Sequence, residues 1–427
     1  MKISNILKHR VVKNAGWIMG GRIVTMICSF IVSLLTARYL GPGNFGLINY
    51  GLAYTTFFYS ICTLGINSVL VKCFVDEPEK EGEILGTTIV LQGLSSVFSA
   101  LMIIGIVSLV DRNEPLTIAV TALCTIGMLF RVFETFRYWF QAHLKSKYSA
   151  ITSTVAYILT SAYRVVLLVQ GKPVQWFAMA TAIDYFVIAL LLFSFYKLNK
   201  GPHLSFSKSR VVPLLRRSIP FVLSGLMISI YGNTDRIMLK QMVGDEAVGY
   251  YSTAVSMCNT WVFVLSAIID SMYPVIMQAR NENYEKYEKQ NRLMYAIVFY
   301  LSAFVSVVFL LFGGFVIKIL YGEAYLPAVV PLQVVTWYTA FSYLGVARNA
   351  WLVGENLQKY VTPIYAGAAI SNVLINFALI PLWGATGAAV ASLITQFSTI
   401  FVFPLFIKPM RRNTKLLAEA LIFKGIK

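Results

Sequence analysis

Eight cations and four carboxylates lie where this 427-residue chain is most apolar. They are Arg22, Arg38, Arg131, Arg137, Arg164, Arg236, Lys240 and Arg348 against Glu134, Asp184, Asp235 and Asp270. An ionisable side chain in hydrocarbon costs ~2.5–3.5 kcal/mol on insertion scales, so it faces protein or water and marks a site worth testing. The excess of positive charge favours an anionic passenger such as a phosphate or pyrophosphate, which guanidinium groups bind in a planar fork. Some of these charges have plainer readings. Arg38, Arg137, Lys240 and Arg348 sit near the ends of apolar stretches, where long cations reach back to the interface. Arg131, Glu134 and Arg137 are three residues apart and neutralise one another on a helix. Asp235 and Arg236 are adjacent and diverge by ~100° on a helix, so they are expected to have different partners. Arg22 lies roughly 10 Å into its apolar stretch and is expected to face the passenger.

Polar residues repeat at helical spacing in four stretches. Arg22, Thr25, Ser29, Ser33 and Thr36 form one stripe; Asn49, Thr56, Ser60, Thr63 and Asn67 form a second. Ser229, Asn233, Arg236 and Lys240 form a third, and Ser252, Asn259, Ser266 and Asp270 a fourth. Steps of three, four and seven place each set on one helix face. The expectation is a hydrated cavity lined by Arg22, Ser29, Thr56, Thr63, Asn67, Arg131, Asn259, Arg236 and Asp270. Glu134, Asp184 and Asp235 are the candidates for coupling to protons or sodium.

The elements that must carry these residues are membrane helices. Apolar residues make up 57% of the chain, charged residues 13%, and mean hydropathy is +0.68. A soluble domain carries roughly 25% charged residues. Twelve apolar runs approach the ~20 residues that cross a bilayer: 15–39, 47–71, 87–110, 116–140, 149–169, 175–196, 218–241, 249–277, 292–315, 328–353, 362–382 and 386–408. The fold expected is therefore all-α and polytopic, with twelve transmembrane helices. The connections on the amino-terminal side, with Lys408, hold 25 of the 36 Lys and Arg, and the opposite ones only Arg112, Lys172 and Lys318. By the positive-inside rule both termini are cytoplasmic. The net charge of +17 thus reports topology, and no nucleic-acid partner is expected. The apolar run after the basic residues 1–14 exceeds the apolar region of a signal peptide and is kept as the first helix.

Five cysteines lie in or beside the spans and three histidines in cytoplasmic segments, which predicts neither a disulfide framework nor a metal site. No phosphate-binding Gly-rich loop is present, so the chain does not itself use ATP. The outer connections are too short for the acidic catalytic loop of a membrane glycosyltransferase, and no enzyme activity and no cofactor are expected.

The chain is written twice. "RYLGPGNFGLINYGLA" from Arg38 matches "QMVGDEAVGYYSTAVS" from Gln241, with Gly41 on Gly244 and Gly46 on Gly249. At the same offset the second polar stripe falls on the fourth. "WFQAHLKSKY" from Trp139 and "WLVGENLQKY" from Trp351 add a further match. Two parallel six-helix halves follow, related by an axis along the membrane normal. The expected division is 1–196, a basic cytoplasmic linker at 197–217 ending in a short amphipathic helix, 218–408, and a cytoplasmic tail at 409–427.

"ARYLGPGNFG" at 37–46, "SIPF" at 218–221, "NTDRIML" at 233–239 and "LYGEAYLPA" at 320–328 resemble the polysaccharide (O-antigen) flippases of the multidrug/oligosaccharidyl-lipid/polysaccharide exporter superfamily. The resemblance covers essentially the whole chain. It implies a pair of six-helix bundles around a central cavity that alternates between the membrane faces. It also implies a polyprenyl-pyrophosphate-linked oligosaccharide as passenger, moved from the inner to the outer leaflet of the bacterial cytoplasmic membrane. Membrane lipid and polysaccharide-assembly proteins are the further partners it implies, and Arg22, Asp235 and Arg236 match charged cavity positions. Arg22 falls on Gly225 in the second half, so that cation is not duplicated. A multidrug cation antiporter of the same superfamily is the alternative.

Overall fold

A computed structural model describes the backbone of residues 2–425, and the side chains of Met26 and of residues 29–425. Every regular element among them is helical. The first eight are α1 (Lys2–Phe57), α2 (Tyr59–Cys62), α3 (Asn67–Asp76), α4 (Glu81–Val110), α5 (Pro115–Arg131), α6 (Thr135–Ala142), α7 (Lys147–Val169) and α8 (Val174–Leu198). There follow α9 (Lys208–Met242), α10 (Asp245–Asn259), α11 (Val262–Glu282), α12 (Tyr284–Leu320), α13 (Val329–Gly354), α14 (Val361–Phe397) and α15 (Arg411–Leu421).

Ten helical stretches among the described residues are long and apolar enough to cross a membrane, against twelve expected. The difference falls at two places. The first expected span lies in α1, much of it among residues whose side chains are not described. The eleventh and twelfth run together, yet α14 leaves helical geometry at Gly384 (φ 52°), between the two expected runs. Large apolar side chains such as Leu109, Phe304, Leu311 and Leu374 stand exposed. Apolar surface on that scale needs lipid as its solvent. The protein is a multi-pass membrane protein.

The chain forms two compact units: residues 1–40 with 47–229, and residues 41–46 with 230–427. In the first, Phe136, Trp139 and Tyr196 anchor a core against Leu70 and Phe74. The segment that follows α8 is strapped to this unit. Tyr196 donates to the Pro202 carbonyl at 2.5 Å, Ser205 N–H to the Gly82 carbonyl at 3.2 Å, and Ser207 N–H to Thr87 Oγ1 at 3.0 Å. Arg210 then pairs with Glu77 at 2.6 Å. The helix expected to end the linker instead runs on without interruption as α9.

In the second unit, Tyr287 stacks on Trp351 at 5.0 Å and α15 packs Leu416 and Leu417 into the same core. Arg292 joins Glu288 and Glu419, and Arg412 also pairs with Glu288, which ties the tail helix to α12.

The second helix of each repeat is broken rather than continuous. Phe58 interrupts the path from α1 to α2, and Thr260 and Trp261 separate α10 from α11. Phe58 and Trp261 coincide at the repeat offset. Leu64 (φ 50°) and Gly65 (φ 61°) then separate α2 from α3. The stripe from Asn49 to Asn67 therefore does not share one helix face, because two left-handed residues rotate its last member away.

Candidate functional site

Residues 235 and 236 of α9 face opposite problems of solvation. Asp235 is 2% exposed. Its Oδ2 accepts from Tyr251 Oη at 2.5 Å and Ser392 Oγ at 2.6 Å, and its Oδ1 from Asn376 Nδ2 at 2.6 Å. The donors come from α10 and α14, so three helices converge on one carboxylate. Asn376 also donates to Asn372 Oδ1 at 3.0 Å, while its own Oδ1 has no partner among the described residues. Tyr231 hydrogen-bonds Gln396 nearby along the same two helices. Every donor to Asp235 is neutral, and it makes no ion pair among the described residues. A buried carboxylate in that state is held by hydrogen bonds alone.

Arg236 is half-buried. Its Nε donates to Ser252 Oγ at 3.1 Å and its Nη1 to Asn233 Oδ1 at 3.3 Å, and the guanidinium lies 6.0 Å from the Tyr251 ring centre. Among the described residues it too makes no ion pair. The adjacent acid and base do not neutralise each other, as their divergence on the helix predicts.

Arg348 is 3% exposed, too deep for the interfacial reading. It donates through Nη1 to the Thr399 carbonyl at 3.0 Å, within the π-helical turn Ser398–Val402. A wide turn frees backbone carbonyls from the helix ladder, and this arginine takes one of them. Lys240, also read as interfacial, is buried and pairs with Asp245 at 2.9 Å.

In the first unit three of the charges form one cluster. Glu134 lies 3.2 Å from both Arg131 and Arg137. Arg131 also lies over the Tyr59 ring at 3.9 Å and beside Tyr185 at 4.9 Å. These contacts fix it between two rings and a carboxylate. Arg137 also donates to Ser153 at 2.8 Å. Asp184 accepts from Thr160 at 3.2 Å.

The polar residues expected to line a cavity divide in environment. Gln92 draws two of them together, donating to the Thr63 carbonyl at 2.9 Å and Asn67 Oδ1 at 3.0 Å. Thr56 is exposed and returns its hydroxyl to the Leu52 carbonyl at 2.9 Å. Ser29 is half-buried, and Asn259 and Asp270 are exposed, the last two without side-chain hydrogen bonds or ion pairs among the described residues. The side chain of Arg22 lies outside the described residues.

Tyr251, Asn372, Asn376 and Ser392 were not singled out from the sequence. Each is uncharged, and only the four-residue step from Asn372 to Asn376 marked them.

The duplicated turn has a geometric reason. Gly41 (φ 72°) and Gly244 (φ 124°) take left-handed conformations that side chains resist. Pro42 and Asp245 follow them as the first residues of the next helical segments. Within the second unit, a Cβ on Gly46 would collide with the carbonyl of Asp245, and one on Gly249 with the carbonyl of Pro42. The contact is reciprocal: each repeat's second glycine receives the other repeat's turn.

A family model described as polysaccharide biosynthesis protein matches residues 11–280. The chain is similar to the capsular polysaccharide biosynthesis protein CapF of Staphylococcus aureus, 20% identical over 404 residues, 93% of this chain and 99% of that one. It is 24% identical over 261 residues, 60% of this chain and 65% of the other, to a Shigella dysenteriae protein named as an O-antigen transporter. Among solved structures, an inward-facing multidrug-resistance MATE transporter of the MOP superfamily is similar at TM-score 0.70 and 14% identity, over 92% of this chain and 96% of that one. The lipid II flippase MurJ, in an inward closed conformation, is similar at TM-score 0.70 and 14% identity, over 95% and 90%. At such identity these likenesses establish the fold. The match spans more than half the chain and agrees with the resemblance of the Gly41 and Asp235 motifs, and the chain belongs to the polysaccharide biosynthesis protein family, on the fold of the MOP transporters.

Proposed function

We propose that the protein is a flippase that carries a polyprenyl-pyrophosphate-linked oligosaccharide from the inner to the outer leaflet of a bacterial cytoplasmic membrane by alternating access. Both termini then face the cytoplasm, where most of its basic residues lie. The observation that carries this reading is Arg236: a cation on a membrane helix, held by neutral groups and making no ion pair among the described residues. Such a group retains its attraction for an external anion, and the pyrophosphate supplies one. Arg131, by contrast, is already matched by Glu134 and the tyrosine rings, so it supports structure more than cargo.

Coupling to a proton or sodium gradient falls to Asp235 rather than Glu134 or Asp184. It alone of the three is both deeply buried and without an ion pair among the described residues. Membrane lipid takes the polyprenyl tail, and polysaccharide-assembly proteins take the product.

The fold is equally like that of a MATE transporter, which keeps a multidrug cation antiporter as the second reading. One experiment separates them. Deletion of the gene is expected to accumulate lipid-linked oligosaccharide on the inner leaflet. A changed drug susceptibility with no such accumulation would remove the flippase reading.

A further inference from the structure

The second unit has a concavity of about 460 Å³ that the acid and base of α9 do not explain. Its wall comes from the turn between α9 and α10, from Pro327 before α13, and from the break in α14 at Trp383–Thr386. All three segments are connections on the face poor in Lys and Arg, which the proposed orientation puts outside. The volume falls within the ~300–1,000 Å³ of small-ligand pockets.

Its chemistry is specific. Trp383 is 56% exposed and stands at the rim with Tyr250 and Pro327. Two carboxylates share the wall but differ in state. Asp245 is bound at 2.9 Å by Lys240, whose side chain is buried beneath it. Glu246 is exposed and accepts the Tyr250 hydroxyl at 3.3 Å, with no ion pair among the described residues. Thr386 adds a further hydroxyl. A pyranose ring has an apolar face, which lies against an aromatic plane, and a rim of hydroxyls, which donate to carboxylates and exchange hydrogen bonds with Tyr and Thr. An anionic head group is disfavoured here, because carboxylates outnumber the one buried lysine. We propose that this concavity is a carbohydrate subsite, stacking a sugar of the translocated glycan on Trp383 and orienting it through Glu246 and Tyr250. The proposal rests on the flippase reading and names where the glycan is held on the outer side.

A photoreactive p-benzoylphenylalanine placed at Thr386 tests it with the cell's own glycan, so that no sugar need be guessed. The control carries the same group at Phe377, 61% exposed on α14 and outside the concavity. Irradiated membranes from glycan-producing cells are expected to yield adducts at position 386, not 377, that release hexose or N-acetylhexosamine fragments on mass spectrometry. Trp383→Ala and Glu246→Gln are expected to lower the adduct at least fivefold at equal protein level, and Trp383→Phe to preserve most of it. If gene deletion accumulates lipid-linked glycan but position 386 gives no sugar adduct, or gives as much as 377, the subsite is refuted and the flippase reading stands. A protein adduct in place of sugar, or protection of position 386 by tetraphenylphosphonium without any sugar adduct, also refutes it. Sugar adducts at 386 in a strain whose deletion accumulates nothing would keep the subsite and remove the flippase reading.

Discussion

Asp235 and Arg236 differ most in what their removal should do. Asn in place of Asp235 keeps the volume and removes the charge, and the Tyr251 and Ser392 hydroxyls can turn to accept from its amide while its carbonyl still accepts from Asn376. Asp235→Asn is therefore expected to lose about 1 kcal/mol of stability by thermal unfolding. Its gradient-driven transport in proteoliposomes should nonetheless fall at least tenfold. Transport by the parent should sink to the same level when proton and sodium gradients are both collapsed; unchanged transport there would remove Asp235 from coupling. Arg236→Ala should lose a charge-assisted interaction of ~1.5–3 kcal/mol, roughly 10–150-fold in affinity for a water-soluble pyrophosphate-bearing analogue. Arg236→Lys should keep part of it. Both residues were legible in the sequence because charge in an apolar run stands out. Tyr251, Asn376 and Ser392 were not, since their role depends on α10 and α14 meeting α9, and no local pattern announces that meeting. Arg348 was misread for a related reason: distance from the end of an apolar run does not reveal a π-helical carbonyl waiting inside.

Elements fail to follow sequence periodicity where the backbone turns left-handed. Thr56, Ser60, Thr63 and Asn67 recur at helical steps, yet the interruptions at Phe58 and at Leu64 and Gly65 divide them among α1, α2 with its C-terminal cap, and α3. Hydrophobic pattern locates a helix well, but a break inside an apolar run leaves no change of composition to detect. The strap between α8 and α9 makes a second point. The Arg210 guanidinium, hydrogen-bonded to Glu77, holds that carboxyl below its ordinary value. A lowered carboxylate contributes stability above its unfolded pKa, near ~4.3, and loses it as pH falls through the folded value. A spin label at Phe206→Cys should therefore report constant mobility from about pH 7 to 5, rising only below roughly pH 4. With Glu77→Gln the label should be mobile throughout; an unchanged pH profile in that variant would exclude the Glu77 clasp.

At the scale of the whole molecule, membrane class and duplication were both readable, because each is written in averages over many residues. The number of crossings is less settled, ten candidates among the described residues against twelve runs, although the break at Gly384 falls between the two runs expected there. The repeated turn was visible as sequence, but its purpose needed coordinates. Gly46→Val and Gly249→Val each press a side chain onto a backbone carbonyl, which cannot rotate away, and each should cost about 1–3 kcal/mol of stability. Thermal unfolding in detergent should show similar losses for the two, with Gly43→Ala, where a Cβ meets only Glu246 Cγ at 3.8 Å, close to the parent.

Reciprocity at Gly46 and Gly249 also limits how this chain can change over generations. Each copy is the seat of the other, so bulk gained in one has to be answered by retreat in its twin. Sister segments that might have drifted apart are thereby kept alike, and descendants of this sequence should exchange those two positions together or leave both untouched.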